Sequence, residues 1–312
     1  MSPALEAGAA QGLGQERVAS TARGEHASSV RGEPVEPPLG TEPSSAVPPP
    51  LGHQRQHLTV CASTNDEAAR LARAGAPHGV VVTADAQTAG RGRLGRVWHS
   101  PPGESLYLSV LLRPPIAPLR APVLTLAAGA ALAQAVTDLF IRTSGLRCPA
   151  DGAPEAALKW PNDLLIYDVE GAPRKAAGIL TELTCRGSAI DFLVVGIGVN
   201  LNALRFPPEL AGRATSLRLA LGGGPLVDGE ALLDAILRRL DALYRRFLRE
   251  GAAPVLAAFQ THAAFLRRGE ALTVHSGDEV LRGVPLGLAE DGALLLRDEA
   301  GVTRRIVAGE LS

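Results

Sequence analysis

Lysine is almost missing from this chain. Lysine and arginine together account for 31 residues, but only Lys159 and Lys175 are lysines. Alanine, glycine, proline and arginine are abundant, which indicates a compositional bias that places arginine wherever either cation suffices. An ammonium group is a compact charge with three rotatable donors and an adjustable pKa, which a guanidinium does not reproduce. Either chance retained the two lysines or, as we predict, their positions require an ammonium group.

Cysteine is scarce, and the net charge is close to zero. Cys61, Cys148 and Cys185 are odd in number and widely spaced, which fits neither a disulfide framework nor a zinc cluster. We therefore expect reduced thiols and a cytoplasmic protein. The formal net charge of −1 gives no overall basic field that could hold a nucleic-acid duplex.

Long apolar segments are lacking as well. Residues 121–137 carry no charge, but Pro122, Thr125, Gly129 and Gln134 interrupt their alanine-rich sequence. This composition predicts a buried core helix rather than a membrane span. The N-terminal segment has no apolar run, so we expect no signal peptide and no membrane partner.

The chain divides into three parts. Residues 1–57 are rich in proline, glycine, alanine, serine and glutamate, which predicts a disordered extension or a start codon placed too early. They show no pair of amphipathic helices of the helix-turn-helix kind, so we expect no DNA binding. Residues 58–266 form the predicted folded body. Residues 267–312 alternate between apolar and polar positions separated by glycine-containing turns, which predicts a small SH3-like β-barrel.

The body combines helices with strands. A helix begins at Ser63-Thr64-Asn65, because these side chains can cap it and carboxylates follow in its first turn. Strands joined by turns predict an α+β fold, with a mixed or antiparallel sheet and helices packed on one face. The predicted strands are residues 80–84, 105–112, 157–160, 164–167, 177–183 and 192–200, and further helices are predicted over 121–140, 230–249 and 252–266.

Residues 87–98 read Gln-Thr-Ala-Gly-Arg-Gly-Arg-Leu-Gly-Arg-Val-Trp. The glycines allow close approach to a ligand, and the arginines supply charged forks for carboxylate or phosphate oxygens. Trp98 offers a flat face for a heteroaromatic ring. The segment predicts a loop that closes over a small anionic ligand. The alternatives are a solvated basic loop and an RGG-like nucleic-acid tail, and the near-neutral net charge disfavours the tail.

Several motifs occur in one order along the chain and together resemble the biotin–protein ligase (biotin–[acetyl-CoA-carboxylase] ligase) family. They are Ser63-Thr64-Asn65, residues 87–98, Lys159-Trp160-Pro161-Asn162-Asp163, Lys175-Ala176-Ala177-Gly178-Ile179-Leu180, Gly196-Ile197-Gly198-Val199-Asn200-Leu201 and Ala214-Thr215-Ser216-Leu217. Each motif alone is weakly specific, but their order and spacing are strongly so. The similarity covers about residues 58–310.

The resemblance implies a class II synthetase-like catalytic domain over residues 58–266 and a C-terminal SH3-like domain over 267–312. Some members of the family also carry an N-terminal DNA-binding domain, whose pattern residues 1–57 lack. Family members join biotin to ATP as biotinyl-5′-AMP and pass the biotinyl group to one lysine of a carrier. The implied partner is the biotin carboxyl carrier protein of acetyl-CoA carboxylase, or another biotin-dependent carboxylase.

The resemblance also implies roles for individual residues. The implied catalytic residues are Lys175, Arg93 and Asp163, and Asp163 would also hold the Mg²⁺ that accompanies ATP. The implied biotin-binding residues are Ser63, Thr64, Asn65, Gln87, Arg91, Gly92, Arg93 and Lys175. The implied residues for ATP or the adenylate are Arg91, Arg93, Trp98, Asn162, Lys175 and Asn200. The cations would offset the repulsion between the carboxylate of biotin and the triphosphate.

Two other functions are consistent with these motifs. A lipoate or octanoate ligase has a related fold, but its acyl chain has no ureido head to use Ser63, Thr64 and Gln87. A non-catalytic biotin-binding regulator would not need Lys159, Asp163 and Lys175. An exposed sheet edge is able to pair with a second copy of the chain, giving a homodimer, or with the carrier.

Overall fold

The computed structural model describes residues 48–146, 151–167 and 172–311. Most of the extension predicted to be disordered, residues 1–47, lies outside the described residues, as does Cys148. The described chain contains one large and one small β-sheet, and helices pack against the large sheet.

The large sheet has seven strands in the order β1-β2-β3-β7-β6-β5-β4. Only β1 and β2 run parallel, and every other neighbouring pair is antiparallel. The predicted mixed sheet of an α+β fold is therefore confirmed. The strands are β1 (Gln54–Cys61), β2 (Val80–Gln87), β3 (Ser105–Leu112), β4 (Glu155–Lys159), β5 (Asp163–Tyr167), β6 (Pro173–Arg186) and β7 (Ala189–Asn200).

Helices cover both faces of this sheet. They are α1 (Thr64–Arg73), α2 (Pro122–Ser144), α3 (Leu217–Ala220), α4 (Gly229–Glu250), α5 (Ala253–His262) and α6 (Ala264–Arg268). α2, α4 and α5 pack on one face, but α1 covers the other through Ala68 and Ala72. The expectation that all helices lie on one face was wrong for α1. The reason is that both faces of the sheet are apolar at β2. Val81 belongs to the core on the side of α2, whereas Val80 and Val82 pack with α1 on the opposite side.

α1 begins where its sequence predicts. The side chain of Ser63 accepts a hydrogen bond from the backbone N–H of Asn65, which satisfies one free donor of the first turn. Asp66 and Glu67 add carboxylates near the positive end of the helix dipole. This cap holds Ser63, Thr64 and Asn65 together at the N-terminus of α1.

α2 is a core helix. With the turn before it, the segment Pro118–Ser144 is long and apolar enough to cross a membrane by length and composition, but 67% of its most apolar window is buried inside the protein. Its alanines lie against the sheet and against α4 and α5. The predicted helix over 252–266 is divided into α5 and α6, because Ala263 between them has non-helical backbone angles (φ −80°, ψ 85°).

The folded body starts earlier than the predicted boundary at residue 58. β1 begins at Gln54 and pairs with Val80 on β2. Before it, Leu51 is buried, and its N–H donates to Asp241 Oδ1 at 3.2 Å. Local composition did not reveal this contact, because its partner lies 190 positions away on α4.

The small sheet has five strands in the order β11-β10-β9-β8-β12. Its strands are β8 (Leu272–Ser276), β9 (Glu279–Leu288), β10 (Leu294–Asp298), β11 (Thr303–Ile306) and β12 (Glu310–Leu311). The first four match the strands that the alternation of apolar and polar residues predicts near 271–275, 279–288, 292–298 and 302–308, whereas β12 is too short for a sequence pattern to reveal. Trp160 is buried, and its Nε1–H donates to the carbonyl of Gly292 at 3.0 Å, which attaches the small sheet to the body.

Candidate functional site

A cleft lies on the α1 face of the large sheet, at the point where β7 changes from bulky residues to glycines. Phe192 and Val194 fill this face under α1, but the next two positions on the same face are Gly196 and Gly198. Gly198 pairs with Gly178 on β6, so a third side chain is missing beside them. We call Gly178, Gly196 and Gly198 the glycine floor.

The ring of Trp98 lies on the glycine floor. A Cβ atom on Gly198 would stand 2.7 Å from Trp98 Nε1, and one on Gly178 would stand 3.1 Å from Trp98 Cζ3. Neither distance leaves room for a methyl group unless the indole moves. Trp98 Nε1 is buried and has no hydrogen-bond partner among the described residues. The indole N–H of Trp98 therefore faces the glycine floor, where the described residues offer it no acceptor.

One end of the cleft is neutral and polar. Gln87, at the end of β2, accepts from the N–H of Thr64 at 2.8 Å and lies 3.2 Å from the Thr64 hydroxyl. Ser109 on β3 lies 2.8 Å from Thr64 Oγ1. No sequence pattern marks Ser109 as a site residue, because it occurs within the otherwise apolar strand β3. We call Ser63, Thr64, Gln87 and Ser109 the neutral end.

Asn65 supports this end rather than opening toward the cleft. Its amide nitrogen donates to the carbonyl of Leu180 at 3.2 Å and to Glu182 Oε2 at 2.6 Å, and its oxygen accepts from Ser109 at 2.6 Å. The amide fits because Gly196 has no side chain: a Cβ atom there would stand 2.1 Å from Asn65 Oδ1.

The other end of the cleft is cationic. Lys175 Nζ lies 2.7 Å from Asp163 Oδ1, and Lys159 stands opposite Asp163 in the β4–β5 register. Arg93 donates to Asn162 Oδ1 at 3.0 Å. Both lysines of the chain therefore lie near the carboxylate of Asp163. We call Arg93, Lys159 and Lys175 the cationic end.

Burial and mutual repulsion tune these cations. Burial lowers the pKa of Lys159, Asp163 raises it, and the nearby charge of Lys175 lowers it again. Burial also lowers the pKa of Arg93, which stays charged because the ordinary pKa of arginine is so high. An anion arriving here would relieve the repulsion among the cations.

The loop of residues 90–98 is tied to the small sheet. Arg93 also donates to the carbonyl of Gly309 at 3.3 Å, and Arg96 forms an ion pair with Glu310 on β12. Within the loop, Gly92 N–H donates to the carbonyl of Arg96 at 2.7 Å. The sequence assigned no role to Gly309 or Glu310, and no local pattern marks them.

Arg91 is paired with carboxylates on two different elements. Its two terminal nitrogens donate to the carboxylate of Asp66 at 2.6 and 2.7 Å, and Nη2 also donates to Glu182 Oε1 at 3.1 Å. Hydrogen bonding from Arg91 lowers the pKa of Asp66. The sequence predicts that the loop arginines serve a ligand, but Arg91, Arg93 and Arg96 already bond to groups of the protein itself.

A second loop, residues 201–216, forms the far wall of the cleft. Asn200 donates to the carbonyl of Thr215 at 3.0 Å, and the backbone of Lys175 pairs with Arg213 and Thr215. Phe206 and Arg213 line the cleft from this loop. Sequence reasoning missed both, although the loop lies between two of the motifs that carried the resemblance.

The predicted site residues meet in this one cleft, whose volume is about 530 Å³. Those that line it are Ser63, Thr64, Asn65, Gln87, Arg91, Gly92, Arg93, Trp98, Asn162, Asp163, Lys175 and Asn200. Lys159 lines it too. Their side chains differ in availability, because those of Asn65, Arg91 and Asn200 already bond within the protein.

The cleft offers few side chains that could bind a metal ion. No group of three or more histidine, cysteine, aspartate or glutamate side chains able to hold a metal occurs in the described ranges. Asp163 and Glu310 are the two carboxylates that line the cleft among the described residues, and Glu310 is paired with Arg96. That donor set fits Mg²⁺, which commonly binds through one or two carboxylates together with phosphates of its substrate.

The chain matches two known protein families. Residues 58–200 match the Biotin/lipoate A/B protein ligase family, and residues 269–312 match the Biotin protein ligase C terminal domain. A biotin protein ligase from Aquifex aeolicus, solved in complex with biotin and ATP, superposes with a TM-score of 0.66 and 29% sequence identity. That superposition covers 83% of this chain and 98% of the Aquifex chain.

Two curated relatives agree with this match. The biotin–[acetyl-CoA-carboxylase] ligase of Paracoccus denitrificans is 35% identical, with 77% of this chain and 92% of the relative aligned. The bifunctional ligase/repressor BirA of Bacillus spizizenii is 34% identical, with 81% of this chain and 72% of the relative aligned. The fold, the cleft and these relatives lead to one conclusion: the chain belongs to the biotin protein ligase family and is a ligase.

Proposed function

We propose that this protein activates biotin with ATP as biotinyl-5′-AMP and transfers the biotinyl group to a lysine of a biotin carboxyl carrier protein. In the first step the carboxylate oxygen attacks the α-phosphorus and pyrophosphate leaves. In the second step an amine attacks the acyl carbon, AMP leaves, and the amine loses its proton. The carrier of acetyl-CoA carboxylase is the proposed acceptor, after the name of the Paracoccus relative.

One observation carries this proposal: a single cleft has a neutral polar end and a cationic end, with a glycine floor between them. A ureido ring is uncharged and offers both donors and acceptors, so it suits Ser63, Thr64 and Gln87 at the neutral end. A carboxylate and a triphosphate repel each other, and Arg93, Lys159 and Lys175 reduce that repulsion. Lipoyl and octanoyl chains have no ureido head, so the polar groups of the neutral end would bond only within the protein.

Roles follow from the placement of each side chain. Arg93 and Lys175 would contact the carboxylate and the α-phosphate, and the Trp98 ring would pack beside the adenylate. Asp163 would contribute a ligand to Mg²⁺, which neutralises phosphate charge when it is bound. Asn162 holds Arg93 in position, and Asn200 holds the 201–216 loop.

Two further parts of the proposal concern organisation. We propose that the chain from β1 to residue 266 forms the catalytic domain and that residues 267–312 form a second, SH3-like domain attached through Trp160 and Arg93. Binding of DNA is not part of the proposed function. That prediction from sequence concerns residues 1–57, most of which lie outside the described residues.

Calorimetric titration followed by an activity assay tests the proposal. Biotin should bind the purified protein at least a hundredfold more tightly than octanoate. Biotin with ATP and Mg²⁺ should release pyrophosphate, and added carrier protein should gain one biotinyl group by mass spectrometry. Preference for octanoate would identify a lipoate-type ligase. Tight biotin binding without pyrophosphate release would identify a non-catalytic regulator.

A further inference from the structure

A chain of polar contacts begins at Arg91 and runs beneath the cleft. Arg91 binds the Asp66 carboxylate with two parallel hydrogen bonds, a geometry that is stronger and more directional than a single contact. Its Nη2 also reaches Glu182 Oε1 at 3.1 Å. Asp66 belongs to α1 and Glu182 to β6, so one guanidinium fastens the 90–98 loop to two separate elements.

Glu182 passes this contact on to the neutral end. Its second oxygen accepts from the Asn65 amide at 2.6 Å. The Asn65 oxygen in turn accepts from Ser109, which also lies 2.8 Å from the Thr64 hydroxyl. The position of Arg91 is thereby linked to Thr64, through side chains that are buried or partly buried.

The same loop is held at its other end. Gln87, which accepts from Thr64, lies 3.3 Å from the Ser100 hydroxyl, and Ser100 donates to the carbonyl of Trp98 at 3.0 Å. The backbone N–H of Trp98 donates to the carbonyl of Gly90 at 2.9 Å, which joins the two ends of the 90–98 loop. Both ends of the loop therefore depend on the polar groups of the neutral end.

We propose that Arg91 is a positioning residue: with Asp66 and Glu182 it forms a latch that holds the 90–98 loop over the cleft and sets Asn65 and Thr64 for the ligand head. In this role Arg91 does not contact ligand, which revises its assignment from sequence. The proposal rests on the proposed function for its ligand, biotin. The latch itself rests on contacts within the chain.

Hydrogen exchange of the ligand-free protein tests the latch without any ligand. In Arg91→Gln and in Asp66→Asn, amides of residues 90–98 should exchange at least tenfold faster than in the unaltered protein. The double variant should exchange no faster than Arg91→Gln alone, because Arg91→Gln already removes the contact with Asp66. Arg70→Gln is the matched control, since Arg70 pairs with Glu67 on the same helix and touches no loop residue. Additive effects, or unchanged exchange in Asp66→Asn, would overturn the latch.

Steady-state kinetics then separate positioning from ligand contact. The latch would set the fraction of molecules in which the 90–98 loop is closed. The KM for biotin should then rise at least fivefold in each of three variants, Asp66→Asn, Glu182→Gln and Arg91→Gln. Their kcat should stay within twofold, because saturating biotin closes the loop again. If Arg91 contacts ligand instead, Asp66→Asn would free its guanidinium, and KM would stay the same or fall. A protein that binds no biotin at all would refute the proposed function and leave the hydrogen-exchange result intact.

Discussion

At the scale of the residue, the cleft depends on the absence of side chains at its glycines as much as on the side chains that line it. Lys175 reaches Asp163 because Gly178 has no side chain: a Cβ atom there would stand 3.3 Å from Lys175 Cε. The Trp98 ring lies on the other side, 5.4 Å from Lys175 Nζ. The ammonium therefore lies between Gly178 and the Trp98 ring, where a broad planar guanidinium would crowd the indole.

Lys175→Arg should be as damaging as Lys175→Ala. Arginine keeps the charge but cannot place it beside Asp163 without displacing Trp98. Loss of one such contact at the transition state costs about 3 kcal/mol, or roughly a hundredfold in rate. Biotin-dependent pyrophosphate release measures it, with Lys159→Arg as the comparison and a smaller loss expected there. A near-normal rate in Lys175→Arg would mean that charge alone suffices.

Gly198→Ala should displace Trp98. The added methyl group would stand 2.7 Å from Trp98 Nε1, and the backbone of Gly198 accepts alanine without strain because its φ is not positive. In a Trp160→Phe background the remaining tryptophan fluorescence comes from Trp98, and its emission should shift to longer wavelength. Gly224→Ala is the control, because its nearest atom would be 3.9 Å away. An unshifted spectrum would place the indole elsewhere.

At the scale of the element, the decisive strand is β1 at the edge of the large sheet. Its residues Gln54–His57 pair with Val80–Thr83 on β2, and Leu51 before it is buried. Arg245 on α4 donates to the carbonyl of Pro48 at 2.8 Å. The segment from Pro48 to His57 is thus part of the folded body.

Removal of residues 1–57 should lower the melting temperature by about 5 °C or more. Losing the buried Leu51 side chain alone costs about 2 kcal/mol, and for a domain of this size 1 kcal/mol corresponds to about 2–4 °C. Removal of residues 1–47 only is the matched control for scanning calorimetry. Equal melting temperatures for the two shortened chains would show that β1 adds no stability, as the composition of the segment first suggested.

Sequence patterns predicted elements well and long-range contacts poorly. The Ser63 cap, the strands and the apolar face of α4 follow from residues within a few positions of one another. The pairing of Arg91 with Glu182 spans 91 positions, and that of Arg96 with Glu310 spans 214, so no local pattern carries them. The side on which α1 packs also depended on strands distant in sequence. The polar groups of the cleft were therefore predictable one by one, but their partners were not.

At the scale of the whole molecule, a half-buried histidine, His78, makes stability depend on pH. His78 Nδ1 accepts from the N–H of Arg113 at 3.2 Å, and the ring stacks on Tyr244 with 4.9 Å between centroids. Burial lowers the pKa of His78 to about 4, while Asp241 opposes the shift and Arg245 and His53 add to it. The folded protein therefore keeps this ring neutral at a pH where the unfolded chain binds a proton.

Stability should decrease as the pH falls from about 6.5 to about 4. Above that window His78 is neutral in both states and contributes no pH dependence. Below it, the unfolded state has gained a proton that the folded state resists, which destabilises the fold by about 3 kcal/mol. Urea unfolding of His78→Gln should lack this part of the decrease, and His99→Gln, at an exposed position, should retain it. Parallel pH curves for His78→Gln and the unaltered protein would contradict the assignment.

The scarcity of lysine has a consequence for self-modification. A biotinyl adenylate that escapes a ligase acylates exposed amines, and the side-chain amines nearest to it are normally those of the enzyme. This chain carries lysine only at positions 159 and 175, and both line the cleft. The proposed adenylate would therefore meet no lysine side chain on the outer surface. The side chains of that surface should remain unlabelled under turnover conditions that biotinylate the exposed lysines of other proteins.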